Sequence, residues 1–570
     1  MGAEGEKTGD PTGEQDHFFG AARLVAALTM LSRVLGLVRD MALVPLGGRK
    51  VADAFWLGFS VPHLFRRLFG EGALSAAFIP VFTEAAEKSG WDRARAVLAN
   101  TAGLLALVLA GLVVVIEAGL LAFLLLAPGE WDRQLAIQLA MLMLPFMFTI
   151  CLLALSSAAL NSRGHFAYPA FAPILLNVGL IAAGWWLAPA LARTEPVQFA
   201  VVGIALLVCG AAQLLGAIWL LRRSGLALMW AIRPVLPEIR QIARRMAPTV
   251  VPLSLVQVSD LLARLIAKAC TASPASPDLP LVDGVVRCHY AAGRLYQLPM
   301  GVLGISVATV VFPLLSRCVA RDDKAGLREV LNRALRLCVF LGIPSGVGLI
   351  LLAEPTIGLI FQRGKFDPDD TLRTARMLQM YCLAMPAYFG VHILLRAFFA
   401  RKETFTPMVT AAVLAVLNVL LVFAGIFTPL GSAALGLATA VTSTLNAVVL
   451  AWVLRRRIGR LHLRSLLLST ARVAVASAVM AAAVLAVRRL LASEAAQSLI
   501  ASAVRWLFAS ARMEHLLAPA TAGRLVTVVA AVLAGAAAFL AAAVLLQCPE
   551  LRELRRRAPG KHQADPDTMN

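Results

Sequence analysis

Charge is scarce in this chain: Asp, Glu, Lys and Arg make up 15% of its 570 residues, against roughly 25% in ordinary soluble proteins. No polar stretch is long enough to hold a soluble domain. The eight cysteines, at 151, 209, 270, 288, 318, 338, 382 and 548, stand singly, with no CxxC pair and no Cys/His spacing suited to a metal. Their apolar settings mark them as structural, reduced thiols. No HExxH string occurs, and neither Gly364-Lys365 nor Gly560-Lys561 has the preceding glycine of a phosphate-cradling loop. A chain without these residues is expected to be no ATPase, to be no enzyme, and to carry no catalytic residue, metal or cofactor. Met1 to His17 are polar with several acids, unlike the basic start of a cleavable signal peptide, so the first apolar helix is expected to be retained.

What is abundant is apolar sequence: 59% of the chain is hydrophobic and its mean hydropathy is +0.78. Apolar segments bounded by charges or Pro/Gly fall at 21–46, 51–82, 96–126, 134–162, 166–192, 197–221, 247–272, 285–317, 327–353, 371–400, 405–427, 430–454, 466–490 and 522–547. Each is long enough to span a bilayer. Their all-round apolarity argues for helices, because a membrane barrel shows alternation over about ten residues instead. The predicted fold is therefore all-α, a polytopic membrane protein with 14 transmembrane helices. The stretch 491–521 stands apart as an expected periplasmic insertion, with Ser498 to Ala511 an interfacial helix and Trp506 at the headgroup level.

The basic excess, 53 Lys and Arg against 33 Asp and Glu for a net +20, falls in short clusters between apolar runs, which sets topology and does not point to nucleic acid. The connection after the sixth segment holds Arg222, Arg223, Arg233, Arg240, Arg244 and Arg245; the one after the twelfth holds Arg455, Arg456, Arg457, Arg460 and Arg464; the tail holds Arg552, Arg555, Arg556 and Arg557. These are placed in the cytoplasm, with both termini. The expected organisation is a cytoplasmic tail 1–20, helices 1–6 in 21–222, a cytoplasmic linker 223–246, helices 7–12 in 247–457, a final pair in 458–547 containing the 491–521 insertion, and a cytoplasmic tail 548–570.

An internal repeat runs through the two halves. Ala159-Leu-Asn-Ser-Arg163 leads to Phe166, Pro169 and Asn177, and Ala397-Phe-Phe-Ala-Arg401 leads to Phe405, Pro407 and Asn418. The offset, near 235 residues, spans six helices, so the halves keep one orientation, related by an axis along the membrane normal.

Within the apolar segments sit charges that cost roughly 2.5 to 3.5 kcal/mol each at mid-membrane, which makes them functional candidates. Arg33, Arg39 and Asp40 lie in the first segment, Asp53, Arg66, Arg67 and Glu71 in the second, and Arg294 in the eighth. Four arginines, 33, 39, 66 and 294, suit a di-anionic ligand, because guanidinium forks bind phosphate oxygens in a bidentate way. Arg67 and Glu71, four apart on one helical face, fit an intrahelical pair, and Asp40 or Asp53 fits a structural partner of Arg39 or Arg33. Asp260 is placed as partner of Arg264 one turn on, with an ion-site role as the alternative. Arg264, Lys268 and Arg396, near segment ends, fit snorkelling side chains.

The strings SRVLGLVRD (32–40), DAFWLGFSVPHLFRRLFGEGALSAAFIPVF (53–82), LNSRGHFAYPAFAPILLN (160–177), GRLYQLPMGVLG (293–304), FQRGKF (361–366) and LLRAFFARKETFTP (394–407) resemble the MurJ (MviN) family of lipid II flippases, within the multidrug/oligosaccharidyl-lipid/polysaccharide exporter superfamily. The resemblance covers about residues 20–547. It implies two pseudo-symmetric six-helix lobes around a cationic cavity, plus a final pair that helps form a groove for a polyprenyl tail. It implies Arg33, Arg39, Arg66 and Arg294 as substrate-binding residues, with Asp40, Asp53, Glu71 and Gln297 functionally sensitive. Some members have Glu three residues after the last arginine where this chain has Gln297. Others resemble sodium-coupled exporters with acids on helices 7 and 11, whereas Thr404 to Leu454 here contains no Asp or Glu.

The function so implied is flipping of undecaprenyl-diphosphate-linked peptidoglycan precursor, lipid II, across the bacterial inner membrane by alternating access. The expected partners are that lipid, membrane lipids, and cell-wall synthesis or division proteins. One alternative is an exporter of another polyprenyl-linked glycan or of drugs, although cationic drugs call for cavity acids in place of arginines. Another is a non-transporting scaffold for cell-wall enzymes.

Overall fold

In hydrocarbon every backbone N–H and C=O must be satisfied within its own segment, and each of the fourteen apolar segments is helical in its described part. The computed structural model describes residues 11–66, 73–126, 129–274, 276–460, 462–499, 502 and 519–551. In chain order the helices are α1 (Pro11–Leu43), α2 (Arg49–Phe65), α3 (Ala73–Leu126), α4 (Trp131–Met143), α5 (Phe146–Ser162), α6 (Ala167–Ala182), α7 (Ala188–Leu191), α8 (Glu195–Arg223), α9 (Pro237–Ala269), α10 (Val285–Pro299), α11 (Ile305–Ala320), α12 (Lys324–Phe361), α13 (Pro368–Cys382), α14 (Met385–Ala400), α15 (Phe405–Ile426), α16 (Ala434–Ile458), α17 (Leu463–Leu491) and α18 (Pro519–Leu545). π-Helical turns at Ala183–Leu187 and Met300–Gly304 join α6 to α7 and α10 to α11. Among the described residues no strand forms; two isolated bridges, Thr271 with Leu281 and Ser273 with Ser276, close the α9–α10 loop.

The boundaries differ from the sequence expectation in places. α1 starts at Pro11, inside the expected tail. The expected second span, 51–82, is divided between α2 and α3, because α3 takes Ala73 onward and then kinks at Gly90, whose φ is +82°. That left-handed value is open to glycine at little steric cost. The expected fourth and tenth spans are each two helices, broken beside Pro145 and Pro386, where proline lacks the N–H an unbroken helix needs; α13 and α14 meet at a 47° bend. Among the described residues, ten helices, or eleven with α13 and α14 as one span, are long and apolar enough to cross a membrane. The segments of the fourteen outside that set are α1, α2 and α9. α2 is only 17 residues long. Most of the 491–521 insertion, including Trp506, lies outside the described residues.

The chain packs as two units. The first comprises the residues up to Ala291 with Phe361–Arg373 and Ala411–Leu435; the second comprises Ala292–Ile360, Thr374–Thr410 and the residues from Gly436 on. In the first, α1 packs on α6, α2 on α4 and α9, α3 on α5 and α9, and α5 and α6 on α8. The segment between α8 and α9, expected as a linker, is strapped to α3: buried Asn100 donates to the Ala231 carbonyl at 2.9 Å and accepts from the Leu236 N–H at 3.1 Å. Arg93 then meets Glu238 by two parallel bonds of 2.8 and 2.9 Å. Partial burial raises the Glu238 carboxyl, but the Arg93 guanidinium outweighs it and the net shift is downward.

The repeat acquires a structural counterpart here. On α6, Asn177 donates to the Ser32 carbonyl of α1 at 3.0 Å; on α15, Asn418 accepts from the Ser259 hydroxyl of α9 at 3.3 Å. Each half thus ties its fifth segment to its first through the repeated asparagine.

In the second unit, α11 packs on α14 and α17 on α18. Pro355 inside α12 has no N–H to give the Leu351 carbonyl one turn back, and Arg488 of α17 donates to that carbonyl instead. Arg524 of α18 donates to the Gly358 carbonyl at 3.2 Å. The final helix pair is thereby fastened to backbone carbonyls of α12.

Candidate substrate-binding site

The first unit holds most of the residues singled out in the sequence. On α1, Arg33 and Arg39 are six residues apart and so lie on different helical faces. Arg33 is half-buried and has no hydrogen bond or ion pair among the described residues. Arg39 is the opposite case. It is 5% exposed, and its guanidinium donates from Nη2 and Nε to Asp40 Oδ1 at 2.7 and 3.1 Å, from Nη1 to Asn177 at 3.2 Å and from Nη2 to the Tyr290 hydroxyl at 3.3 Å. Tyr290 in turn donates to Asp40 at 3.1 Å and stacks on Trp56 at 3.7 Å. Asp40 therefore neutralises Arg39, and the cluster joins α1, α2, α6 and α10.

Asp53, on α2 and fully buried, accepts the backbone N–H groups of Gly284 at 2.8 Å and Arg287 at 2.9 Å. The sequence offered Arg33 or Arg39 as its partner. It instead caps the first turn of α10, where a carboxylate meets the positive end of the helix dipole. Beside it, fully buried Arg287 donates to the Gly47 carbonyl at 2.8 Å, to the Lys365 carbonyl at 3.2 Å and to Asp370. Asp370 also pairs with Arg49 at 3.1 Å, and Arg49 reaches Asp367 at 2.7 Å and Asp369 at 3.0 Å. Burial raises the Asp367 carboxyl, but the Asp370 N–H and Arg49 draw it below the usual range. The loop carrying FQRGKF can approach because Gly364 has φ +55° and no side chain: a Cβ there would lie 2.8 Å from the Pro45 carbonyl oxygen. This cluster fastens the α1–α2 connection to the start of α10 and to the α12–α13 loop, so helices of both sequence halves meet within one unit.

A third cluster joins α2, α9 and α10. Arg264 pairs with Asp260 at 2.7 Å, as the i,i+4 spacing predicted, and also donates to the Ser60 hydroxyl at 2.6 Å. His289 lies 3.3 Å from the other Asp260 oxygen. Lys268, expected to snorkel, is instead held between Asp132 at 2.7 Å and Asp283 at 2.9 Å, because the α9–α10 loop and α4 bring two acids to it. Arg66 closes the end of α2, with its Nε 3.2 Å from His63 Nδ1. Arg67 and Glu71 lie outside the described residues. Arg294 and Gln297 belong to the second unit, both half-buried on α10 just before the π turn. In that unit Arg396 lies 5.5 Å from the Phe312 ring centroid.

Nothing in the sequence marks Arg287 and Asp370 as partners. They are 83 residues apart, and neither sits at a spacing from the other that local periodicity reads.

An all-helical chain with repeated halves, intramembrane arginines and carboxylates that close helix ends has the form of a polytopic membrane exporter. The fold agrees: a solved structure of a lipid II flippase MurJ in an inward closed conformation matches with a TM-score of 0.67 at 22% identity, over 94% of this chain and 100% of that one. An inward-facing multidrug resistance MATE family transporter of the MOP superfamily matches with a TM-score of 0.63 at 15% identity, over 77% of this chain and 98% of the other. The sequence profile of the family described as lipid II flippase MurJ matches residues 44–504. A probable lipid II flippase MurJ of Vibrio cholerae is 32% identical over 482 residues, 81% of this chain and 87% of the relative, and a lipid II flippase MurJ of Burkholderia cenocepacia is 31% identical over 452 residues, 77% and 84% of the two chains. The chain belongs to the lipid II flippase MurJ family.

Proposed function

We propose that this chain flips the lipid-linked peptidoglycan precursor lipid II from the cytoplasmic to the periplasmic leaflet of the inner membrane by alternating access, making and breaking no bond. Family membership sets the substrate class, and Arg33 carries the site: a half-buried guanidinium in an apolar helix with no counter-ion among the described residues calls for an anionic ligand. Arg33, Arg66 and Arg294 hold the diphosphate headgroup, while Arg39 joins them once its bonds to Asp40, Asn177 and Tyr290 are exchanged. The polyprenyl tail stays in lipid along the final helix pair, and the lobes 21–222 and 247–457 rock to exchange the opening. Cell-wall synthesis or division proteins are the natural partners. The test is headgroup-resolved flipping by the purified protein in liposomes. Lipid II crossing at the rate of protein-free liposomes would refute the proposal.

In the proposed orientation both termini are cytoplasmic, with Arg240 and Arg457 inside and Arg133 and Gly431 outside, following the Lys/Arg asymmetry. A cysteine at 240 will resist an impermeant thiol reagent added to spheroplasts, and one at 133 will react. Labelling of position 240 from outside would reverse the orientation.

The energy source we propose is the membrane potential, worth about 2.3 kcal/mol per elementary charge per 100 mV. No acid between Thr404 and Leu454 is available for a sodium site on helices 7 and 11, and Asp260 is engaged by Arg264 and His289. Flipping in sodium-free proteoliposomes will therefore rise when a potassium diffusion potential is imposed. Dependence on a sodium gradient with indifference to the potential would overturn this.

A further inference from the structure

The last helix of each sequence half ends on the same short string, and the substrate site makes no use of it. α8 closes with Trp219-Leu-Leu-Arg222-Arg223, and α16 closes with Trp452-Val-Leu-Arg455-Arg456 followed by Arg457. The two tryptophans are 452 − 219 = 233 residues apart, the offset of the internal repeat. Their geometry is repeated as well. The guanidinium of Arg223 lies over the Trp219 ring at 3.9 Å, and that of Arg456 over the Trp452 ring at 3.8 Å. Both indoles are half-exposed, at 55% and 50%, while Leu221 and Leu454 between them and the arginines are fully buried and fix which face each helix turns outward.

Side chains on a helix lean toward its N-terminus, so the arginine four residues on folds back along the tryptophan to the depth of the ring. Stacking occupies only the flat face of the guanidinium. The N–H edges stay open: Arg222, Arg223, Arg455 and Arg456 are exposed and have no hydrogen bond or ion pair among the described residues. Their neighbours differ. Arg457 pairs with Glu403, and Arg163, stacked over Trp91 at 4.0 Å, donates to the Ser224 carbonyl at 2.8 Å. Exposed tryptophan at a helix end marks the headgroup level of a bilayer, and an open guanidinium fork at that depth matches two oxygens of a phosphodiester.

We propose that these two repeat-related strings are binding sites for an anionic phospholipid, in which the paired arginines hold the headgroup phosphodiester and the indole lies against the glycerol and upper acyl chains. Both lie at helix ends that the orientation above puts in the cytoplasmic leaflet, although binding itself does not depend on that orientation or on lipid II transport. A purely topological role needs positive charge alone, and lysine serves it equally. A site needs the fork and the ring.

Native mass spectrometry of the full chain, released from micelles with phosphatidylglycerol or phosphatidylcholine, separates the two. The wild type will retain two phosphatidylglycerol molecules and exchange phosphatidylcholine freely. Arg222→Ala with Arg223→Ala will remove one, as will Arg455→Ala with Arg456→Ala, each site weakening several hundredfold, since a basic residue near an anionic headgroup contributes roughly fivefold and the loss of the planar forks about tenfold more. Lysine at the same four positions preserves the charge that sets topology and insertion, and will still weaken retention about tenfold for want of the planar fork. Trp219→Ala and Trp452→Ala, with the arginines intact, will each weaken their own site severalfold through the lost cation–π contact. Lysine variants that retain phosphatidylglycerol as tightly as the wild type, tryptophan variants without effect, or equal retention of phosphatidylcholine would each overturn the proposal.

Discussion

Arg66→Ala and Arg294→Ala, each as the sole copy in a cell that depends on this chain, will fail to support growth while the protein accumulates near its normal level. Arg66 caps the end of α2 and Arg294 is half-buried on α10, so truncating either removes charge and hydrogen-bond donors and leaves no large cavity in a packed core. A charge-assisted hydrogen bond contributes about 1.5–3 kcal/mol, and a bidentate contact to a diphosphate contributes two, so each loss is expected to lower flipping in liposomes by at least about a hundredfold. Arg66→Lys and Arg294→Lys will recover part of the activity, since the ammonium restores charge without the planar fork. Measured flipping rates and protein levels together check this. Wild-type growth on either alanine variant would remove that arginine from the site.

The second large effect concerns Arg287, a residue the substrate does not need to touch. Arg287→Ala leaves Asp370 fully buried with Arg49, at 3.1 Å, as its one remaining cation, and leaves the Gly47 and Lys365 carbonyls without the Arg287 donor. Removing one partner of a buried ion pair typically costs about 3–5 kcal/mol, and the remaining arginine puts this case at the lower end. The chain supplies its own reporter: Cys288 is fully buried beside Asp370, its Sγ 3.8 Å from the Asp370 carbonyl oxygen. In a background where Cys288 is the only cysteine, reaction with an impermeant maleimide will be slow in the wild type and about a hundredfold faster in Arg287→Ala, the factor that roughly 3 kcal/mol of lost closing energy corresponds to. Arg287→Lys will fall between, because one ammonium cannot bridge two carbonyls and a carboxylate in the guanidinium geometry. Unchanged protection of Cys288 in the alanine variant would show that the cluster does not hold this end of the unit closed.

Most of the architecture follows from the sequence because it is a property of solvent and length. Uninterrupted apolar runs in a chain with so little charge have to be helices in a bilayer. The repeated Asn177 and Asn418 were visible as letters, and both proved to tie the fifth segment of a half to its first. The i,i+4 pair of Asp260 and Arg264 was legible for the same reason, since a helix fixes that neighbour in advance. Local spacing stops there. That Asp53 caps α10 from α2, that Arg39 is spent on Asp40, Asn177 and Tyr290 while Arg33 has no partner among the described residues, and that Lys268 is held by two acids were decided only by which helices pack together. Arg287 and Asp370 show the limit most clearly: a buried charge is tolerated only where another segment brings its counter-ion and its acceptors, and that meeting depends on loops such as the one turned by Gly364, which no periodicity encodes.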